Sequence, residues 1–344
     1  MKKYVMLACV AVLFGGCATG VAKKMVPKLE KPKEEVVANE TRYSVSLQMI
    51  GDMLYEIKDP DIYVYIAPIT NKTTGVGKVP EDIAGMLKSA FLNMGYKVHV
   101  VSNPELIPKG AEGYVIEGEI SEFDVVRAES AGMNLGLYFG QGKGETDASA
   151  ESDYGYQEIN LGLDLRVLDA TTGEYVPFVF AKNKVTMKRL EDSNKIGFSI
   201  AGNGFGLSGK AKVQNGVHES LRLLSEISSV ELLGKLRLLP YWLAIPNAMP
   251  EYQVINNYKR KFRSLPKEKQ ISFIYYLLQS YYPDMPDNAF NDYIKRFKKE
   301  HGLYPVDAQI TPKLFVRMLL DLPKKELRSD VERRRSRLLD SVVE

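Results

Sequence analysis

The sequence predicts an α+β protein: a small α/β unit that carries two long β-hairpins and is followed by a run of helices. Three observations predict it. Two stretches alternate strictly with period two around polar turns, a strand–helix–strand pattern precedes them, and amphipathic helical segments fill the C-terminal part. The 344 residues are 45% hydrophobic and 26% charged with a net charge of +3, which suits one or two globular domains. That balance gives no electrostatic case for nucleic acid or an acidic partner.

From Ala131 to Phe139 the odd positions are apolar: Ala131, Met133, Leu135, Leu137 and Phe139. A polar, Gly- and acid-rich segment (140–155) follows. The alternation then resumes with Ile159, Leu161, Leu163, Leu165 and Val167, while Glu158, Asn160, Gly162, Asp164 and Arg166 take the even face. Each run approaches the roughly 9–11 residues that a tilted strand needs to cross a bilayer. The charges of the second run avoid the apolar face, where a Lys or Arg in lipid costs about 2–4 kcal/mol at mid-bilayer. The apolar face therefore meets either a protein core or lipid. A second pair alternates at Ile196, Phe198 and Ile200, turns at Asn203-Gly204, and continues at Phe205, Leu207, Gly209, Ala211 and Val213. Four strands cannot close a membrane barrel, for which about eight is the minimum. Either these hairpins are soluble or several subunits pool them.

Upstream, Ile62–Ile66 reads as a buried strand and Asn71–Lys78 as a loop. A helix starts near Pro80 with the stripe Ile83, Leu87, Ala90, Phe91 and Met94, and Gly95 closes it. Strands follow at Tyr96–Val101 and Tyr114–Phe123. Lys72 precedes the glycines of its loop, so the spacing does not match a phosphate-binding GxxxxGK[ST]. Asp169–Glu174 is a turn, and Val217–Leu236 is a helix that packs on the sheet. Pro240–Pro250, with the lone Trp242, reads as an interdomain linker. His99, His218 and His301 share no motif, so the sequence predicts no enzyme, no metal site and no cofactor.

Residues 1–16 form a basic and then briefly apolar leader, too short to span a membrane, which reads as a cleaved signal peptide. Leu13-Phe14-Gly15-Gly16-Cys17 resembles the lipobox of bacterial lipoproteins, which implies cleavage before Cys17 and lipid on its sulfur. Ala18 at the next position implies sorting to the outer membrane. Cys9 lies in the leader, so no disulfide, cysteine metal site or thiol nucleophile is expected in the mature chain. Residues 17–45 are a lipid-anchored linker rich in Lys, Glu, Pro and Val.

The order of these pieces resembles the curli production assembly/transport component family, the curli secretion channel lipoproteins. The matching residues are the lipobox at Cys17, the strand Ile62–Ile69 with its Asn71 loop, and Tyr114-Val115-Ile116-Glu117-Gly118-Glu119-Ile120. The Gly-rich stretch around Gly136–Gly140, Asn160–Val167 and Asp169–Glu174 complete the match, over roughly residues 15–238. The resemblance implies a homo-oligomeric ring whose subunits each give two transmembrane hairpins, near 125–168 and 176–215, to a shared barrel. Periplasmic α/β domains (46–238) would hang below it. Its lipid-facing positions would be Met133, Leu135, Leu137, Phe139, Ile159, Leu161, Leu163, Leu165, Ile196, Phe198, Ile200, Phe205 and Leu207. The partners implied are outer-membrane lipid, exported adhesive or appendage subunits and accessory secretion factors. The candidate pore loop is Asn71, Lys72, Thr73 and Thr74, although it is shorter than the family's and lacks its aromatic gate. The other reading is a non-porating envelope lipoprotein that scaffolds a secretion, conjugation or flagellar apparatus.

Residues 239–264 read as a linker, 265–322 as a helical domain and 323–344 as a charged tail. Helices are expected at Lys267–Tyr281, Asp287–His301 and Pro312–Leu320. Ile294–Phe297, His301-Gly302-Leu303 and Val306–Pro312 resemble the peptidoglycan-binding three-helix module, which implies attachment to the cell wall. Lys298 stands where that family has glutamine, and Asp307-Ala308 where it has Asp-Gly. A small protein-docking bundle is the alternative.

Overall fold

The computed structural model describes residues 41, 43–73, 80–128, 156–190, 196–202, 205–211, 216–246 and 248–322, all within the compact unit Glu40–Glu344. The architecture is α+β. Its strands are β1 (Ile62–Ile66), β2 (Thr70–Asn71), β3 (Val98–Val101), β4 (Glu112–Ala128), β5 (Tyr156–Asp169), β6 (Tyr175–Leu190), β7 (Ile196–Gly202) and β8 (Phe205–Ala211). Its helices are α1 (Ser44–Glu56), α2 (Ala84–Leu92), α3 (Gly216–Arg237), α4 (Tyr252–Ser264), α5 (Lys267–Tyr281), α6 (Phe290–Glu300) and α7 (Pro312–Asp321).

One eight-stranded sheet runs β3-β1-β4-β5-β6-β7-β8, with β2 alongside β4. β1 lies parallel to both β3 and β4, and every pair from β4 onward is antiparallel. Parallel neighbours need a crossover, and α2 supplies it. The expected stripe of Ile83, Leu87, Ala90, Phe91 and Met94 is buried along this crossover. Gly95, at φ 94°, takes the left-handed conformation that ends it, and Tyr96 is left exposed before β3 starts at Val98.

The partner of Ile159–Val167 differs from the expectation. Ile159 faces Val125, Leu161 faces Phe123, Leu163 faces Ile120 and Val167 faces Ile116, all on β4. Residues 129–155, with Met133, Leu135, Leu137 and Phe139, lie outside the described residues. Leu161, Leu163 and Leu165 do not face outward to lipid as expected: they are 0%, 0% and 2% exposed in the core of the single chain, and Ile159 packs against it. The physical reason is α3. This helix lies across β5 and β6, so the apolar face of β5 already has a protein cover. Ile196, Phe198 and Ile200 fall in β7, and Phe205 and Leu207 in β8. There β7 returns along β6, from Ile196 opposite Arg189 to Gly202 opposite Asn183, and Gly202 faces Phe205 across positions 203–204.

Every residue from Leu223 to Pro240 is buried, so α3 is enclosed rather than laid on a surface. Helices α1 and α2 also pack against it, and α2 rests on β1 and β3 beside it. Its small residues permit close approach. A Cβ at Gly234 would come within 2.4 Å of the Tyr241 side chain. Ser225 and Ser229 donate their hydroxyls back to the Leu221 and Ser225 carbonyls, at 2.8 and 2.7 Å, which satisfies them without outside partners.

Residues 239–264 are not a linker. Tyr241, Trp242, Ile245 and Ala248 are buried in the main core, and Ser46 of α1 donates to the Ala244 carbonyl at 2.6 Å. The segment from Tyr252 to Ser264 is α4, with Tyr258 and Phe262 buried. Proline spacing suggested a break, but the aromatic residues between the prolines are what the core collects; fully burying one such large apolar side chain contributes about 1.5–3 kcal/mol. Phe262 stacks on Phe315 of α7 at 4.2 Å, so α4 packs directly against the C-terminal helices. Lys298, at the family's glutamine position, is buried and donates to Asp307 and to the Gln309 carbonyl at 2.9 Å. It ties α6 to the loop before α7, and it holds the Asp307 carboxyl below its ordinary range.

Candidate functional site

The strands β4, β5 and β6 end together. Ala128 lies opposite Tyr156, and Tyr156 lies opposite Leu190. Residues 129–155 thus begin and finish on neighbouring strands at one end of the sheet, and the chain leaves β6 at that same end. The register follows from the apolar face under α3, because a one-residue slip would turn Leu161, Leu163 and Leu165 out to water.

The even face of the same strands is polar and cross-linked. Arg166 lies 3.5 Å from Glu119, Lys182 3.8 Å from Asp164, and Lys184 pairs with Glu122. Ser121 donates to Asp164 at 3.0 Å and Thr186 to Asn160 at 2.7 Å. Acids cluster on β4 and lysines on β6, so each pair crosses a strand boundary. Such exposed pairs contribute at most about 1 kcal/mol each and chiefly mark a solvent-facing surface.

The pore-loop candidates Asn71, Lys72 and Thr73 stand together where β2 ends. Asn71 closes β2, opposite Ile120 of β4, and its side-chain oxygen accepts from the Thr73 N–H at 2.9 Å and hydroxyl at 2.6 Å. The Lys72 N–H donates to the Ile120 carbonyl at 3.2 Å. Asn71 and Thr73 thus form a local turn that ties the loop to β4. Thr74 and Cys17 lie outside the described residues.

Two buried ionic groups brace α3. At its end Arg237 pairs with Asp59 after α1 and with Glu112 of β4, and Lys269 of α5 reaches Glu112 at 3.2 Å. Burial pushes the Asp59 carboxyl up despite Arg237, whereas the Glu112 carboxyl is held down by Arg237 and Lys269 against its own desolvation. One turn earlier, the fully buried Glu231 accepts from Lys235 and from the Asn183 amide at 2.8 Å, and Asn183 also donates to Ser228 at 2.9 Å. Burial pushes the Glu231 carboxyl up, with Lys235 opposing. Apart from the Glu231–Lys235 pair, four residues apart on α3, these contacts join residues 45 or more positions apart, which no local spacing reveals.

The histidines stay apart. His99 stacks on Tyr63 at 4.8 Å and lies 2.9 Å from Asp61, His301 stacks on Phe297 at 4.0 Å and lies 2.8 Å from Asp321, and His218 is exposed on α3. Among the described residues, no group of three or more His, Cys, Asp or Glu side chains could hold a metal ion, and no helix is long and apolar enough to cross a membrane.

No protein family model matches the chain, and no curated protein matches it. Among solved structures it is similar to one described as a neuraminyllactose-binding hemagglutinin homolog from Helicobacter pylori, at 12% identity over 52% of this chain and 84% of that one, with a TM-score of 0.21. A likeness of that size carries no argument about fold or function.

Proposed function

We propose that the chain is a lipid-anchored subunit of an oligomeric outer-membrane secretion channel for adhesive or appendage proteins. The single observation that supports this reading is the shared end of β4, β5 and β6, from which residues 129–155 and the chain after Leu190 both depart. In this reading Cys17 carries the lipid, the α+β unit is periplasmic, and 129–155 and 191–215 supply each subunit's strands to a common barrel. Met133, Leu135, Leu137 and Phe139 keep the lipid-facing role, whereas Leu161, Leu163 and Leu165 leave it for the core. The C-terminal helices act as the wall-attachment module. No nucleic acid, metal or cofactor takes part.

One observation favours the second reading, a non-porating envelope scaffold. In the single chain β7 and β8 extend the sheet beside β6, so the second pair of strands already has a partner. A channel subunit must release that pairing as the ring forms. Leu137→Asp separates the two readings. A channel subunit bearing it keeps its fold but forms no detergent-stable rings by negative-stain microscopy, while the parent chain forms them. Monomers from the parent chain would leave the scaffold reading standing. For the C-terminal helices, binding to purified sacculi is expected to fall when Tyr304 and Lys295, both exposed, are changed to alanine and glutamate. Unchanged binding removes the cell-wall role.

A further inference from the structure

A cavity of about 350 Å³ opens between the first residues of β6, the end of α3 and one side of α4. Its size falls within the range of about 300–1,000 Å³ usual for small-molecule sites. Phe178 and Phe180 of β6 form one wall, 49% and 37% exposed, and Leu238 and Tyr258 form the floor. Arg260 and Lys261 stand on the α4 side, near Asn257 one turn away. Three non-glycine residues have a left-handed backbone among the described residues, and two of them, Phe178 at φ 64° and Leu238 at φ 58°, line this cavity. A bulky residue held there is strained, and such strain collects at functional sites.

The charges identify the ligand. Lys235 on the cavity wall is taken up by Glu231 and by the Phe180 carbonyl at 2.9 Å. Lys261 donates to the Leu236 carbonyl at 2.6 Å and to the Lys235 carbonyl at 3.5 Å, which leaves one ammonium proton for a ligand. No carboxylate pairs with Arg260 among the described residues, and Glu251, the one lining carboxylate, has a partner of its own. An extended peptide is a poor occupant. Although β6 pairs with β7 only from Asn183 onward, Pro177 and the turned-back Phe178 break the free edge that an added strand would need.

We propose that this cavity binds a small amphiphile with an anionic head, a carboxylate or a phosphate, whose apolar body lies against Phe178 and Phe180 and whose head meets Arg260 and Lys261. The lone tryptophan, Trp242, has its ring 5.8 Å from that of Tyr258 and reports on the site. The full chain is titrated with octanoate, octyl phosphate and neutral octanol, followed by Trp242 fluorescence and calorimetry. Octanoate or octyl phosphate binds saturably at one site, and the tighter of the two names the head group. Octanol binds about tenfold more weakly, and Arg260→Gln weakens the anion by about tenfold without affecting octanol. Phe178→Gly removes binding while leaving the melting temperature at or above that of the parent chain, because glycine adopts this backbone without strain. The proposal is overturned if no saturable anion binding occurs at millimolar ligand. It is equally overturned if octanol binds as well as the anions and Arg260→Gln changes nothing, or if Phe178→Gly binds like the parent. Arg260 is exposed, so its variant folds whatever the fate of Phe178→Gly.

Discussion

On one face of the sheet Leu161, Leu163 and Leu165 are shut beneath α3; on the other, Asp164 and Arg166 of the same strand reach water and pair with lysine and glutamate on the adjoining strands. The two faces alternate residue by residue, yet they rest on different physics. The covered face depends on close packing and tolerates little. The open face depends on screened charge pairs that can be exchanged. A period-two pattern therefore identifies a face that is buried without naming what buries it.

The largest effect should come from placing a charge on the covered face. Leu163→Asp is expected to cost more than about 4 kcal/mol and to abolish cooperative thermal unfolding. In the channel reading Leu137→Asp, which lies outside the described residues, should leave the melting curve of the unassembled chain unchanged. A folded Leu163→Asp protein with normal stability would break the distinction between the faces.

Next comes the buried ion pair within α3, where Lys235 and Glu231 stand one turn apart against the covered face. Lys235→Met strands the Glu231 carboxylate in the core and is expected to cost about 3–5 kcal/mol in urea unfolding, most of it recovered when Glu231→Leu is added. If the double variant is no better than the single one, the pair is not acting as a unit.

A smaller effect follows from Lys261, where burial lowers the ammonium pKa to about 8, aided by Arg237 and Lys269 and opposed by Glu112 and Asp59. The unfolded lysine titrates near 10.4, so between pH 8 and pH 10 the unfolded chain holds more protons. Stability should therefore rise over that window, by about 2 kcal/mol in all, and Lys261→Met should flatten the rise. Above about pH 10 the gain should reverse, because burial raises the Tyr241 and Tyr258 phenols well above their ordinary range and the unfolded chain ionises first. Chemical denaturation from about pH 7 to about pH 11 reads both limbs.

The smallest effect belongs to the open face. Arg166→Ala removes a pair whose arginine is 47% exposed, and it should shift stability by less than about 1 kcal/mol. A larger loss would show that the charge ladder is more than a solvent-facing surface.

The sequence by itself determined the α+β class, the stripe Ile83–Met94, the length of α3 and the extent of Lys267–Tyr281, because each rests on a period within one element. It also showed which face of Ile159–Val167 leaves water. Only the tertiary structure decided that α3 covers that face, that Tyr241 and Trp242 join the core rather than a linker, and that Glu231 meets Lys235 and Asn183 in its interior. Burial depends on what arrives from far along the chain, and an apolar side chain gains about the same from lipid or from leucine. Residues 176–180 and 253–264 show the same limit. Phe178 and Arg260 become neighbours across a cavity only after β6 and α4 have both docked on α3.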